Sequence, residues 1–557
     1  MTIYESPFPA IPIPVTDTYT YLFGRDDAYN PSQEGNDAVV LIDSVTGATL
    51  TFDALRSAVR ALAGGLLGNV RVKKGDVVAV FAPNDMDYSV AVFGTIRAGC
   101  AVTLINPSYT ADEVAYQLKD SGAVALITIA SHVPIALEAA KKVNIPQSRV
   151  FTLGVEKSSQ LKSIRDISTT DYKLPSQLLT DEEVRTTPAY LCYSSGTSGR
   201  SKGVQTTHYN MVANVAQITS VSSDLAYVIP NEHNAWTGVL PFYHIYGLNL
   251  SLHTALSLRI PVVVFAKFDL LEFLSALQKY KVTMAHIVPP IMIGLAKHPA
   301  VAKFDITSLR FLMSGAAPLD AETCVAVTHR LKGRTAVLQG YGMTEMSPVS
   351  HITADPSCPP GSTGSLLPNA QARLVDPDTK KDVATGEPGE LWIRGPMVMK
   401  GYHNNAEATA ETIDADGWLH TGDIAQVDAK GFFYIVDRLK ELIKYKGFQV
   451  PPAELEGYLL AHPDVADAAV IGRPSLEAGE IPRAYIVLKE GHKGVTEADI
   501  VGYIEKKVAQ HKRLRGGVEF IDAIPKAASG KILRRVLREM DKEKVAREAA
   551  AATKAKL

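Results

Sequence analysis

Residues 190–203, Tyr190-Leu191-Cys192-Tyr193-Ser194-Ser195-Gly196-Thr197-Ser198-Gly199-Arg200-Ser201-Lys202-Gly203, join a short apolar run to a segment of glycines, hydroxyls and one lysine. The apolar run reads as a buried strand. Beyond it, glycines let the backbone approach an anion at φ/ψ values other residues avoid, while N–H groups, hydroxyls and the lysine supply donors. That composition suits a polyphosphate, which makes ATP the expected ligand. It is not a Walker A loop: counting from Gly196 puts Ser201 where the second glycine belongs and Gly203 where the magnesium-binding hydroxyl belongs. A Gly/Ser surface loop fits the same residues equally well. The rest of the chain must decide.

At 557 residues the chain exceeds one hydrophobic core, and its length suggests about three or four structural units. A hydrophobic fraction of 46% with 21% charged residues is that of an ordinary globular protein. With 57 basic against 59 acidic residues, no global field draws it to nucleic acid or anionic membranes. Cys100, Cys192, Cys324 and Cys358 are far apart and form no CxxC, which argues against a disulfide framework or zinc site and fits a reducing compartment. Residues 1–15 hold prolines and Glu5 where a signal peptide needs a basic then apolar run. The longest apolar candidate, 248–265, is broken by Asn249, His253, Arg259 and Pro261, so a soluble protein without a spanning helix is expected.

From Asp76 the chain alternates β-rich apolar runs (77–81, 123–127, 261–265, 283–288, 309–313) with helix-length amphipathic stretches such as 112–119. Strand alternating with helix implies parallel sheets covered by helices. From about Gly364 the texture changes to strands joined by turns (372–375, 389–394, 431–436), a smaller β-rich unit. The basic stretch 437–447 then leads into a last α+β segment, with a helix from about Ala453, strands near 465–471 and 484–488, and a terminal helix over 531–550 with Ile532, Leu533, Val536, Leu537 and Met540 on one face. A domain boundary is placed at the basic stretch.

Three further segments permit phosphate chemistry. Gln339-Gly340-Tyr341-Gly342-Met343-Thr344-Glu345 sets a ring, two glycines, a hydroxyl and a carboxylate within one turn, enough to stack a base, approach a phosphate and hold magnesium. Packing of Tyr341 and helix capping by Glu345 are the plainer roles. His420-Thr421-Gly422-Asp423 resembles a tight turn whose Asp423 would accept both ribose hydroxyls with Arg438 donating to the same sugar; an Asx turn is the alternative. In Pro525-Lys526-Ala527-Ala528-Ser529-Gly530-Lys531 a turn delivers Lys531, a point charge on a flexible stem, and displacement at phosphorus is catalysed mostly by positioning and electrostatics.

Taken together with 314–319, 417–423 and 440–449, these segments resemble the adenylate-forming superfamily of acyl-CoA synthetases, luciferases and adenylation domains, most closely the 4-coumarate–CoA ligase group, over residues 40–540. The resemblance implies an α/β fold: a large N-terminal domain (1–437) of two doubly wound sheets plus a β-barrel, and a small mobile α+β C-terminal domain (438–557) with a hinge near Lys440. It implies ATP, Mg2+ and coenzyme A as cofactors and an acyl-AMP intermediate. Lys531 would bridge carboxylate and phosphate, and Glu345 would hold the metal. Ser194, Ser195, Gly196, Thr197, Ser198, Gly199 and Lys202 would meet the triphosphate, and Ala317, Gln339, Gly340, Tyr341, Gly342, Thr344, Asp423, Arg438 and Lys440 the rest of ATP or AMP. Lys444 and Gln449 would serve the second half-reaction, with Lys267, Lys446 and Gly447 binding coenzyme A.

The segment 241–250, Pro-Phe-Tyr-His-Ile-Tyr-Gly-Leu-Asn-Leu, is similar to the acyl-pocket segment of the coumarate ligases. The resemblance puts His244 beside the carboxylate, Tyr246 against a phenolic hydroxyl, and Ala316, Pro348 and Val349 in the wall. Leu250 departs from the small alanine or serine of the plant enzymes, which narrows or reshapes the pocket and does not carry 4-coumarate itself over; the substrate implied by the resemblance is an aryl (4-coumarate-like) or medium-chain fatty acid. Arg200-Ser201 for Leu-Pro and Trp392 for cysteine are further departures. Ala555-Lys556-Leu557 resembles the Ser-Lys-Leu address read by the peroxisomal import receptor, with the cytoplasm as alternative. Rival expectations are a carrier-protein adenylation domain, a luciferase-like oxygenase and a catalytically dead nucleotide or acyl binder.

Overall fold

The computed structural model describes residues 2–25, 37–156, 158–176, 179–194, 201–224, 233–317, 319, 321–353, 358–446, 448–475, 477–491, 494–527 and 530–554, with backbone alone at 222–224, 449 and 548–554. The alternating pattern becomes two large sheets. One has nine strands in the order Ser365–Leu366, Val349–Ile352, Ala336–Gly342, Phe311–Ser314, Met284–Ile287, Trp236–Gly238, Val262–Val264, Val39–Asp43 and Thr49–Thr51. It is parallel from Ala336–Gly342 to Val39–Asp43 and antiparallel at its ends. The other has seven, in the order Gly401–Tyr402, Lys202–Thr207, Pro188–Ser194, Ala101–Ile105, Val77–Phe81, Ala123–Thr128 and Val150–Thr152.

Both faces of each sheet are covered, which is why the central strands read as unbroken apolar runs. In Val77–Phe81 the alternation is visible: Val78 and Val80 enter the core between the sheets, whereas Val77, Ala79 and Phe81 pack under the outer helices Ala111–Ser121 and Val133–Lys142. Helix Met86–Arg97 lies in the central core, buried from Asp87 onward. At Gly94 a Cβ would come within 2.8 Å of Leu62, so a glycine is what lets helix Phe52–Gly65 pack against it.

The β-rich unit expected as a barrel consists of five antiparallel strands, Tyr4–Glu5, Gln371–Val375, Gly389–Arg394, Leu419–Val427 and Phe433–Arg438. The last segment builds its own sheet from Phe448–Val450, Ile443–Tyr445, Gly479–Leu488, Val465–Ser475 and Val518–Phe520, with helices Pro452–Leu460, Glu497–Glu505 and Arg534–Lys554.

Two local readings are corrected. Residues 420–423 are not a tight turn but lie inside strand Leu419–Val427, where His420 pairs with Trp392 on one side and Asp423 stands opposite Arg438 on the other. The terminal helix begins at Arg534, not 531: Ile532 is instead paired with Lys526 in an antiparallel bridge, and Met540 is exposed while Leu537 is buried.

Candidate active site

A cavity of about 570 Å³ opens where the C-terminal ends of the nine-stranded sheet, the hairpin of Pro188–Ser194 with Lys202–Thr207, the β-rich sheet and the last α+β segment converge. Ser194, Lys202, His244, Tyr246, Leu250, Ala316, Gly340, Tyr341, Gly342, Thr344, Glu345, Pro348, Val349, Asp423, Arg438, Lys440 and Lys531 all line it. Residues separated by more than three hundred positions meet here.

The nucleotide side is built on paired strands. Ser194 and Lys202 face each other in register at the mouth of the hairpin, and the Ser194 hydroxyl is buried without a hydrogen-bond partner among the described residues. The loop tip holding Ser195, Gly196, Thr197, Ser198 and Gly199 lies outside the described residues. At Gly342 a Cβ would fall 2.1 Å from the Pro348 carbonyl, so the strand can turn toward Thr344 and Glu345 only with glycine there. The Tyr341 hydroxyl donates to Asp423 Oδ2 at 2.6 Å, and Arg438 Nε lies 3.2 Å from Oδ1. Each carboxylate oxygen keeps a lone pair for a further donor.

Glu345 is buried, and its Oε1 accepts from the Tyr402 hydroxyl at 2.8 Å. The Lys202 ammonium lies 4.3 Å from the centre of the same Tyr402 ring. Tyr402 therefore links the hairpin lysine to the carboxylate, a role its short edge strand gives no local sign of. The residues fit a magnesium ion, which takes one or two carboxylates and shares the rest of its shell with water and phosphate.

Lys531 reaches the cavity on a turn closed by the Ala527 N–H to Lys531 carbonyl bond (2.8 Å) and by Gly530 at φ +80°, whose added Cβ would press on Pro290 at 3.2 Å. Burial, then the Arg438 charge, lower its ammonium to about 8, against the opposing pull of Asp423, Glu441 and Glu345. His244 is lowered to about 4 by burial and by Lys531, so it is neutral at pH 7. Its Nδ1 accepts from the Tyr246 N–H at 3.2 Å, which puts the ring proton on Nε2, free to donate to a carboxylate.

Beyond His244 the chain enters a π-wound helix, Gly247–Thr254, that carries Leu250 into the wall. Gly247 is required there, since a Cβ would sit 2.3 Å from the Pro241 carbonyl. Asn84 pins the preceding loop by donating to Gly238 and Leu240 and accepting from Phe242, and Asn249 ties the helix to the Ser347 carbonyl at 2.7 Å. The Tyr246 hydroxyl donates to the Met313 carbonyl at 3.2 Å, so toward a ligand it is left as an acceptor. Trp236, Met284, His286 and Met313 also line this end, and sequence reasoning had passed over them. A histidine within the apolar run 284–288 was the available signal.

Some expected residues stand apart. Ala317 and Gln339 do not line the cavity; Gln339 is fixed by backbone bonds with the Thr353 hydroxyl. Lys267, Lys444 and Lys446 are exposed and outside the cavity. Gly447 and the Gln449 side chain lie outside the described residues, as do residues 555–557.

The family model for AMP-binding enzyme matches residues 29–403, and that for the AMP-binding enzyme C-terminal domain matches 454–531. The chain is 40% identical to 4-coumarate–CoA ligase 1 of Petroselinum crispum over 543 residues, 96% of each chain. It is 37% identical to peroxisomal OPC-8:0-CoA ligase 1 of Arabidopsis thaliana over 539 residues, 96% of this chain and 94% of the relative. Among solved structures, ATP-bound MatB from Rhodopseudomonas palustris superposes with a TM-score of 0.82 at 28% identity, covering 94% of this chain and 98% of that one.

Proposed function

The chain belongs to the AMP-binding enzymes, and from that membership we propose that it is an ATP-dependent carboxylate–CoA ligase acting on an aryl or medium-chain fatty acid. The observation that carries this reading is Lys531, half-buried in one cavity with the neutral His244, the buried Glu345 and the Tyr341–Asp423–Arg438 group.

In the first half-reaction a carboxylate oxygen of the acid attacks the α-phosphorus of ATP, the bond to the β-phosphate oxygen breaks, and acyl-AMP and pyrophosphate form. Lys531 supplies positive charge to both the carboxylate and the α-phosphate, and His244 Nε2–H orients the carboxylate. Tyr341, Asp423 and Arg438 hold the nucleoside, and Ser194 with Lys202 flank the phosphates. Glu345 and Thr344 would hold magnesium, which neutralises phosphate charge when bound. In the second half-reaction the thiolate of coenzyme A attacks the acyl carbonyl and AMP leaves. A free carboxylate is a poor acyl donor, and AMP is a far better leaving group than oxide.

We assign 1–437 to the large unit and 438–557 to the small one, hinged near Lys440, with Lys444 and Lys446 reaching the site after rotation. For location, a relative named peroxisomal and the Ala555-Lys556-Leu557 terminus support import into peroxisomes. A fluorescent fusion lacking 555–557 that still enters peroxisomes would overturn that assignment.

The test of the reaction is pyrophosphate release over cinnamic, benzoic, phenylacetic and C6 to C18 fatty acids, with and without coenzyme A. The expected result is acid-dependent release and a thioester only when coenzyme A is present. Release with no thioester in its presence would point to a carrier-protein or oxygenase reaction, and no release with any acid to a non-catalytic binder.

A further inference from the structure

The paired strands Pro188–Ser194 and Lys202–Thr207 end their ladder at Ser194 opposite Lys202, the two residues assigned above to the phosphates. With the ladder ending there, the aim of both side chains depends on what holds their chain neighbours, Tyr193 and Ser201. Helix Ala111–Ser121 holds both. The Tyr116 hydroxyl donates to the Ser201 carbonyl at 3.0 Å, and the Tyr193 hydroxyl donates to Asp120 Oδ2 at 2.5 Å. Tyr116 and Asp120 stand four positions apart, so they share one face of the helix.

Alternation along Pro188–Ser194 explains why Tyr193 meets this helix. Leu191 and Tyr193 pack on the outer side with Val114 and Leu118, whereas Cys192 belongs to the core between the sheets. The Tyr193 ring lies across its register partner Gly203, where an added Cβ would come within 3.1 Å of it. Burial, then Asp120, push the Tyr193 phenol well above its ordinary range, so it stays protonated and donating. The helix is a firm support: a capping box between Thr110 and Glu113 closes its start, and Gly122 ends it in the left-handed conformation. Gln117, 1% exposed, donates to the Thr103 hydroxyl at 3.0 Å and the Leu104 carbonyl at 2.9 Å, which fastens the helix to the strand beside the hairpin. Ser201 stands where the resembled group has proline. Its φ is therefore not set by a ring, and the Tyr116 bond restrains the same residue from outside the loop.

We propose that Tyr116 and Asp120, neither of which lines the cavity, are positioning residues for ATP: they hold the two roots of the hairpin so that Ser194 and Lys202 face the β- and γ-phosphates. The inference rests on the ligase reading and adds a helix to its phosphate site. Its consequence is selective. ATP and pyrophosphate feel the restraint, whereas AMP and acyl-AMP, which lack those two phosphates, do not.

The test measures, in wild type, Tyr116→Phe and Asp120→Ala, the KM for magnesium-ATP and for the acid by pyrophosphate release, and the inhibition constants of pyrophosphate and AMP. Loss of the Tyr116 bond should raise the magnesium-ATP KM and the pyrophosphate constant about fivefold, and loss of the bond to the charged Asp120 about tenfold or more. The acid KM, the AMP constant and thioester formation from supplied acyl-AMP should stay within about twofold. Asp120→Asn keeps an acceptor for Tyr193 and should recover part of the loss. Melting curves identify a variant that does not fold, and Tyr193→Phe then tests the same bond. An unchanged magnesium-ATP KM in both variants overturns the inference, and so does a parallel rise for ATP and AMP, which would mark general support of the fold. If no acid drives pyrophosphate release by the wild-type protein, the ligase reading itself has failed; calorimetric titration with ATP and with AMP then decides the role of the helix by the same ratio, and a protein that binds neither nucleotide refutes both.

Discussion

Replacing Lys531 by methionine keeps the aliphatic stem and removes the charge, which makes it the sharpest perturbation of the site. The lysine falls from 10.5 to about 8, chiefly through burial and then through Arg438. That difference corresponds to about 3 kcal/mol against the protonated form in this arrangement. Because the folded value lies below the unfolded one, the cost is fully present below pH 8 and is relieved as pH rises from about 8 to 10.5. Lys531→Met is therefore expected to melt higher than the parent protein at pH 7 and to lose that advantage near pH 10. Its adenylation rate should fall by about 10²–10³, the usual effect of deleting one preorganised electrostatic contact. For the parent protein, kcat/KM for adenylation should be level up to about pH 8 and fall about tenfold per unit above it, as the free-enzyme ammonium is lost; the variant should lack that limb. Thioester formation from supplied acyl-AMP should change by less than about threefold. Pyrophosphate release and thiol consumption measure the two half-reactions separately. Equal loss in both, or an unchanged pH limb in the variant, would refute the role given to Lys531.

Tyr402→Phe frees Glu345 Oε1 from its 2.8 Å partner, and since hydrogen bonds to charged groups contribute about 1.5–3 kcal/mol, the apparent KM for magnesium-ATP should rise about tenfold or more; an unchanged magnesium dependence counts against Glu345 as the metal residue. Asp423→Asn weakens the site facing Tyr341 and Arg438 and should compress the discrimination between ATP and 2′- or 3′-deoxy-ATP to within about threefold, read from KM ratios. Leu250→Ala, at a side chain 4% exposed, should cost about 2–5 kcal/mol in an unfolding titration and move activity toward bulkier ring-substituted acids.

The parallel sheets were legible because strands buried on both faces are continuous apolar runs, and the helices between them are amphipathic. Lys531 was legible because a glycine turn before a basic helix is a local signal. Asp423 was recognised but its setting was not: residues 420–423 are polar and contain Gly422 at φ +69°, so they lack a strand's periodicity, and the register opposite Arg438 exists only once the neighbouring strand has docked. Tyr402 meets Glu345 across 57 positions from a two-residue edge strand. His286 depends on which face of its strand meets the cavity, a fact set by sheet packing. Local chemistry thus marked the candidate groups, and long-range register decided what each one faces.

The placement of the lysines gives the proposed two-step cycle a physical basis. Lys531 occupies the cavity while Lys444 and Lys446 are exposed, yet all three belong to one packed unit. Strand Ile443–Tyr445 is bonded to Gly479–Leu488, which pairs with Val465–Ser475. Arg534, three residues past Lys531, donates to the Val470 carbonyl and to both oxygens of Glu456 at 2.8 Å. In the rotation proposed above such a unit would turn as a whole, so bringing Lys444 inward would require taking Lys531 out. The desolvation of Lys531 biases the exchange. Bringing in the charged lysine without substrates costs about 3 kcal/mol, a factor of about 10² in the population of the closed form. The carboxylate and triphosphate supply the missing negative charge, so closure is expected to follow their binding. Once pyrophosphate departs and the carboxylate has become an uncharged acyl group, most of that compensation is gone. The ammonium is then buried beside Arg438 with only Asp423, Glu441, Glu345 and the single remaining phosphate opposite it, and in the proposed cycle that loss of negative charge favours its release as coenzyme A is needed.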